Sequence, residues 1–149
     1  MQPEVIGGGT GIPMNGSILQ HLAVTTATDI VRARSVARQE AARIGFGLAD
    51  QTRLATAVSE LARNVLKYAT EGSCTIHEDS TPVEMRLHIT MEDHGPGIPD
   101  ITAAMKDGYS TGGGMGAGLP GTRRLVDKFE IESSPGFTRV TISMVRKRQ

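Results

Sequence analysis

In the stretch Val83-Glu84-Met85-Arg86-Leu87-His88-Ile89-Thr90-Met91-Glu92-Asp93, apolar and polar side chains alternate strictly from Val83 to Glu92. A period of two is the pattern of a strand that buries one face, so a strand is predicted over Val83–Glu92. Val83, Met85, Leu87, Ile89 and Met91 then face a core. Asp93 continues their parity, which directs a carboxylate to the core side just where the strand ends. Gly95-Pro96-Gly97 follows, a turn in which a ligand can approach the backbone without meeting a Cβ. A carboxylate there is costly to bury without a hydrogen-bond donor, and a ligand is one source of that donor. His94 has the opposite parity and is expected to be exposed.

Working outward, Thr28 or Asp29 is placed to cap a helix running to about Ile44, with Gly45 and Gly47 at its end. A second helix is predicted over Asp50–Ala69, and Gly72 ends it. An edge strand is expected over Ile18–Thr25, and a further strand over Cys74–Glu78. After the Gly-Pro-Gly turn, Asp100 can cap a short helix to Lys106. A helix over Leu119–Lys128 and strands over Phe129–Ser133 and Thr138–Val145 complete the chain. Helices on one side of a mixed, mainly antiparallel sheet make an α+β two-layer sandwich. Residues 1–17 carry Gly7-Gly8-Gly9-Thr10-Gly11 and Pro13 with no periodicity. They read as a flexible arm on a single domain over 18–149.

With 149 residues there is enough chain for one core. Sixteen basic and sixteen acidic side chains balance, so no electrostatic case exists for nucleic acid or an anionic membrane. Arg146-Lys147-Arg148 is the one basic run and reads as a solvated end. A single cysteine, Cys74, excludes an internal disulfide and suits a reducing cytoplasm. The sequence has neither an apolar run of about 18 residues nor a basic segment leading into an apolar one at its start. The expectation is a cytoplasmic protein.

On the second helix, Leu54, Ala57, Val58, Leu61, Val65, Tyr68 and Ala69 form one apolar stripe. Glu60, Asn64 and Lys67, spaced i, i+4, i+7, share a second stripe at its edge. A carboxylate, an amide and an amine in line suit a metal–phosphate site. Asn64 offers an oxygen to a hard cation, Lys67 neutralises phosphate, and Glu60 takes a proton or orients a water. A solvated Glu–Lys helix face would show the same spacing.

Residues 107–118, Asp107-Gly108-Tyr109-Ser110-Thr111-Gly112-Gly113-Gly114-Met115-Gly116-Ala117-Gly118, are too glycine-rich for regular structure and read as a lid. Gly116–Gly121 matches G-x-G-x-x-G, but too little chain follows for a βαβ unit and Pro120 interrupts the match. A phosphate cradle fits better, with free N–H groups leading into the N-terminus of the Leu119 helix. On the last strand Thr138, Val140, Ile142 and Met144 share parity, so the Thr138 hydroxyl also faces the core side. A buried hydroxyl and a buried carboxylate together suit a flat polar ring such as adenine.

Glu60-Leu61-Ala62-Arg63-Asn64, Asp93-His94-Gly95-Pro96-Gly97 and Gly114-Met115-Gly116-Ala117-Gly118-Leu119 stand in that order. They resemble the N box and two glycine boxes of the gyrase, heat-shock chaperone, histidine kinase and MutL ATPase superfamily. Within it the chain is similar to the small anti-sigma-factor-type serine/threonine kinases, stressosome switch kinases among them, from near Leu22 to near Val145. The resemblance implies ATP and Mg²⁺ as cofactors, with Asn64 on the metal and Glu60 as base towards a substrate hydroxyl. It also implies Asp93 on the adenine amino group, Gly97 admitting the ring, and Gly114, Gly116 and Gly118 around the phosphates. Thr138 would assist at the adenine, although the family's G-x-G-T reads Pro135-Gly136-Phe137-Thr138 here. The implied partners are STAS-domain scaffold proteins, phosphorylated on serine or threonine, and a downstream effector activated on release. Two rivals are an anti-sigma factor that sequesters a sigma subunit and the detached catalytic domain of a histidine kinase. No helix pair carrying a phospho-acceptor histidine is present to support the latter.

Overall fold

The computed structural model describes residues 4–6, 16–98, 101–106 and 118–148, with the backbone alone at 4–6, 101 and 102. In chain order its elements are β1 (Glu4–Ile6), β2 (Ser17–Val24), α1 (Ala27–Ile44), α2 (Leu48–Tyr68) and β3 (Gly72–Glu78). They continue with β4 (Glu84–Asp93), α3 (Ile101–Ala104), α4 (Gly118–Leu125), β5 (Lys128–Ser134) and β6 (Phe137–Lys147). The strands form one six-stranded sheet in the order β1-β5-β6-β4-β3-β2. Every pairing in it is antiparallel.

α1 starts earlier than its expected caps. Thr26 is the N-cap and Asp29 the third helical residue, in a reciprocal capping box. The Asp29 carboxylate is drawn back onto the N–H groups of Thr25 and Thr26, which is why it supports the cap and does not serve as it. Gly45, at φ 120°, ends the helix, and its N–H donates to the Ala41 carbonyl. The buried residues Ala33, Ala37 and Ala41 lie four apart and let α1 approach α2 closely.

α2 carries the longest apolar stripe, and Leu54, Ala57, Val58, Leu61 and Val65 are buried as the spacing requires. Tyr68 is not. It is exposed in the last turn, and Ala69 already lies beyond the helix. The helical face meets Leu22 and Val24 on β2, Cys74 and Ile76 on β3, and Leu87, Ile89 and Met91 on β4. Ile131 on β5 and Val140, Ile142 and Met144 on β6 complete this core.

β4 lies between β3 and β6, so its outward-facing residues are shielded too. His88, Thr90, Thr141 and Ser143 are all buried, although strict alternation would expose them. They satisfy one another: His88 Nδ1 lies 2.7 Å from Ser143 Oγ and its Nε2 2.6 Å from Asp79 Oδ1. Thr90 and Thr141 hydroxyls are 3.1 Å apart. Val83 falls outside the strand and is exposed, because the Thr81 hydroxyl turns the chain by accepting from Val83 and Glu84 N–H.

Two expectations at the ends need correcting. Glu4–Ile6, inside the stretch read as an arm, forms a strand paired with β5. The C-terminal basic run is not a free end. Arg146 donates to both carboxylate oxygens of Asp50 at 2.9 Å and to Asp127 at 2.6 Å, and Arg148 donates to the Thr81 carbonyl. Burial would raise the Asp50 pKa, but the hydrogen bonds from Arg53 and Arg146 outweigh it and hold the carboxyl below its ordinary value. The start of α2 is thereby tied to the end of β6.

Candidate functional site

Asp93 is the last residue of β4, paired with Gly72 on one side and Thr138 on the other. Its carboxylate is half-buried and takes one bond from its own turn, the Gly95 N–H at 3.0 Å. Among the described residues no other group donates to it. Burial raises its pKa, against the Gly95 hydrogen bond and the nearby His94, which lower it. A half-buried acid short of donors is the predicted signature of a ligand contact.

The glycines of the following turn are needed first by the protein itself. A Cβ on Gly95 would come within 2.7 Å of Ala69 Cβ and 3.1 Å of the Tyr68 carbonyl oxygen. Gly97 has φ 85°, and a Cβ there would strike the Ser134 carbonyl. The turn is therefore seated between the C-terminus of α2 and the β5–β6 hairpin. Gly72 presses against Val65 in the same way, a Cβ there lying 2.8 Å from Val65 Cγ1. These close approaches bring the end of α2, with Asn64 and Lys67, beside the end of β4.

On α2 the Glu60 carboxylate is held by Arg63 Nη1 at 2.9 Å, one turn on. Asn64 is half-buried, and its carboxamide has no hydrogen-bond partner among the described residues, leaving its oxygen free for a cation. Lys67 is exposed, with Nζ 5.3 Å from the centre of the Tyr68 ring. At the other end, α4 begins at Gly118, where φ is 64°, and the Thr122 hydroxyl donates to the Gly118 carbonyl at 3.0 Å. Leu119 is half-buried against the core. Gly114 and Gly116, Asp100 and Tyr109–Thr111 lie outside the described residues.

Thr138 is 7% exposed and faces the core side, as its parity requires. Phe137, standing where the family's pattern has glycine, turns to the other face. It meets His94 edge-on at 6.0 Å and lies 5.6 Å from the Arg139 guanidinium. His94 is exposed, as expected. Cys74 is fully buried, and burial pushes its thiol up to about 12, which makes it inert.

Sequence reading missed Ser133. It shares parity with Phe129 and Ile131 and is 2% exposed. Its hydroxyl accepts from the Ile98 N–H at 2.7 Å and lies 3.1 Å from the Phe137 carbonyl oxygen and 2.8 Å from the Thr138 hydroxyl. The signal that marked Asp93, a polar residue on an apolar parity, was also available here.

An acid at a strand end, a glycine turn seated on a helix C-terminus and a core-facing threonine opposite come together at one end of an α/β sandwich. The chain belongs to the histidine kinase-, DNA gyrase B- and HSP90-like ATPase family, whose model matches residues 49–148. It is 50% identical over 113 residues to the serine/threonine-protein kinase RsbT of Bacillus subtilis, across 76% of this chain and 85% of that one. Among solved structures it is similar to the RsbU and RsbW domains of a Mycobacterium tuberculosis protein. That match has a TM-score of 0.57 and 19% identity, and it covers 87% of this chain but only 33% of the larger one. The catalytic domain of the histidine kinase ThkA aligns over 85% of this chain and 97% of its own, with 16% identity and a TM-score of 0.47. Among the described residues no helix is long and apolar enough to cross a membrane.

Proposed function

We propose that residues 18–149 form an ATP- and Mg²⁺-dependent protein serine/threonine kinase domain that works in the cytoplasm as a partner switch. Its substrates are STAS-domain scaffold proteins, and its release after phosphorylation frees it to activate a downstream effector. The observation that carries this reading is the half-buried Asp93 carboxylate, left with its own turn's amide as donor and standing opposite a core-facing threonine. The identity to a serine/threonine-protein kinase supports the choice of phosphoryl acceptor.

In this reading ionised Asp93 accepts from the adenine amino group, and the Gly95–Gly97 turn forms the wall along which the ring lies. Asn64 offers the oxygen that would hold Mg²⁺, an ion that neutralises phosphate charge when bound. Gly118, at the start of α4, lies where the phosphates would sit, Gly114 and Gly116 are assigned to the phosphates by the resemblance alone, and Lys67 adds positive charge. Glu60 takes the proton from the substrate hydroxyl as its oxygen bonds to the γ-phosphorus. The bond from that phosphorus to the bridging oxygen breaks, and ADP leaves.

Incubation with γ-labelled ATP, Mg²⁺ and a STAS-domain protein tests the reading. Label on serine or threonine, lost in Asp93→Asn and Glu60→Gln, is expected. No transfer, together with stable capture of a sigma subunit, would favour the sequestering role instead.

A further inference from the structure

We infer that Ser133 is a positioning and specificity-determining residue of the purine site, acting by orienting the Thr138 hydroxyl towards the ring. This rests on the nucleotide reading above and names a residue which that reading does not use. The hydroxyl of Ser133 has one proton and two lone pairs. Ile98 N–H, just past the Gly-Pro-Gly turn, occupies one lone pair at 2.7 Å. Two contacts remain, the Phe137 carbonyl at 3.1 Å and Thr138 Oγ1 at 2.8 Å.

The carbonyl can only accept. If the Ser133 proton goes there, the shorter contact must be donated by Thr138, whose own proton is then spent. If the Ser133 proton goes to Thr138 Oγ1, the Thr138 proton is free for the site. Adenine presents an amino donor beside a ring-nitrogen acceptor. Ionised Asp93 can only accept, so it meets the amino group, and the ring nitrogen needs a donor, directly or through one water. Thr138 stands opposite Asp93 in the ladder and is the group placed to give one. Binding adenine thus selects the second arrangement. The same Ser133 oxygen fixes the glycine turn against the β5–β6 hairpin, so the wall of the site and its donor are aligned by one buried atom.

Calorimetric binding of ADP and of 1-deaza-ADP, which lacks the N1 acceptor beside the amino group and keeps N7, tests this. The parent protein is expected to prefer ADP. Ser133→Ala is expected to weaken ADP by about tenfold, the scale of a lost hydrogen bond plus an orphaned N–H, and to bring the ADP to 1-deaza-ADP ratio close to one. Ser133→Thr keeps the hydroxyl and should keep the ratio, and in transfer assays Ser133→Ala should raise KM for ATP with kcat little changed. If Ser133→Ala does not fold, Ser133→Cys, of similar shape but a weak donor, is measured in its place. A ratio unchanged in Ser133→Ala or Ser133→Cys, or equal weakening of both ligands, overturns the inference. A parent protein that binds neither ligand overturns it together with the nucleotide reading.

Discussion

Asp93 and Thr138 face each other directly across the β4–β6 ladder, and both point to the core side of the sheet. Because directly opposed residues share a face, the carboxylate and the hydroxyl line one wall although 45 positions separate them in the numbering. Among the described residues Asp93 has one donor there, the Gly95 N–H, and most of what can be tested follows from that shortage.

Asp93→Asn should keep the Gly95 hydrogen bond and remove a charge that burial disfavours. Thermal unfolding of the nucleotide-free variant is expected at an unchanged or higher midpoint, while ADP affinity falls about tenfold or more, as for a lost charge-assisted bond. A variant that loses stability and keeps its affinity contradicts the ligand role.

The same carboxyl predicts a pH dependence. Its folded pKa is raised above 3.8, so the folded protein holds a proton that the unfolded chain has released. That contribution to stability is complete below 3.8 and is lost as pH rises through the higher folded value. ADP requires the ionised acid, so its affinity should fall as pH drops through that same folded value. Titration calorimetry across the acidic range checks this, with Asp93→Asn expected to be flat.

His77 works in the opposite sense. It is 2% exposed, its Nδ1 has no partner among the described residues, and its ring lies 5.8 Å from that of His88. Burial, and then His88, lowers its pKa below 6.5, against Asp79 and the Gly16 backbone. Stability from the neutral ring is present above 6.5 and lost as pH falls below it. Denaturant midpoints between pH 7 and about 5 should decline less steeply in His77→Phe.

Gly97 and Gly136 both have φ 85°, but only Gly97 would drive a Cβ into a neighbour, the Ser134 carbonyl. Gly136→Ala should cost about 1–2 kcal/mol of left-handed strain. Gly97→Ala should cost more and also weaken ADP, because the turn must leave the hairpin. Equal unfolding free energies for the two variants would show that the close approach is absent in solution.

Arg146→Met keeps most of the stem and removes the bonds to Asp50 and Asp127. Arg146 is partly exposed, so the expected loss is about 1–2 kcal/mol, read from urea unfolding. A neutral result would return the run to the status of a solvated tail.

The sequence determined the elements wherever periodicity was strong. The alternation before Asp93 marked the central strand, and the α2 stripe marked the buried helix. The order of the N box and the two glycine boxes pointed to the family before any coordinate did. Local chemistry is enough for such features, since strand parity and helical spacing are fixed by backbone geometry. Other features depended on strand order. His88 and Ser143 are hidden by flanking strands, Arg146 finds Asp50 across the fold, and Gly95 and Gly97 are demanded by the protein's own packing. Ser133 shows the division most clearly. Its parity could be read along the chain, but its partners on the Gly-Pro-Gly turn and on β6 are set by hydrogen bonds between separate segments, which only the folded chain brings within 3 Å.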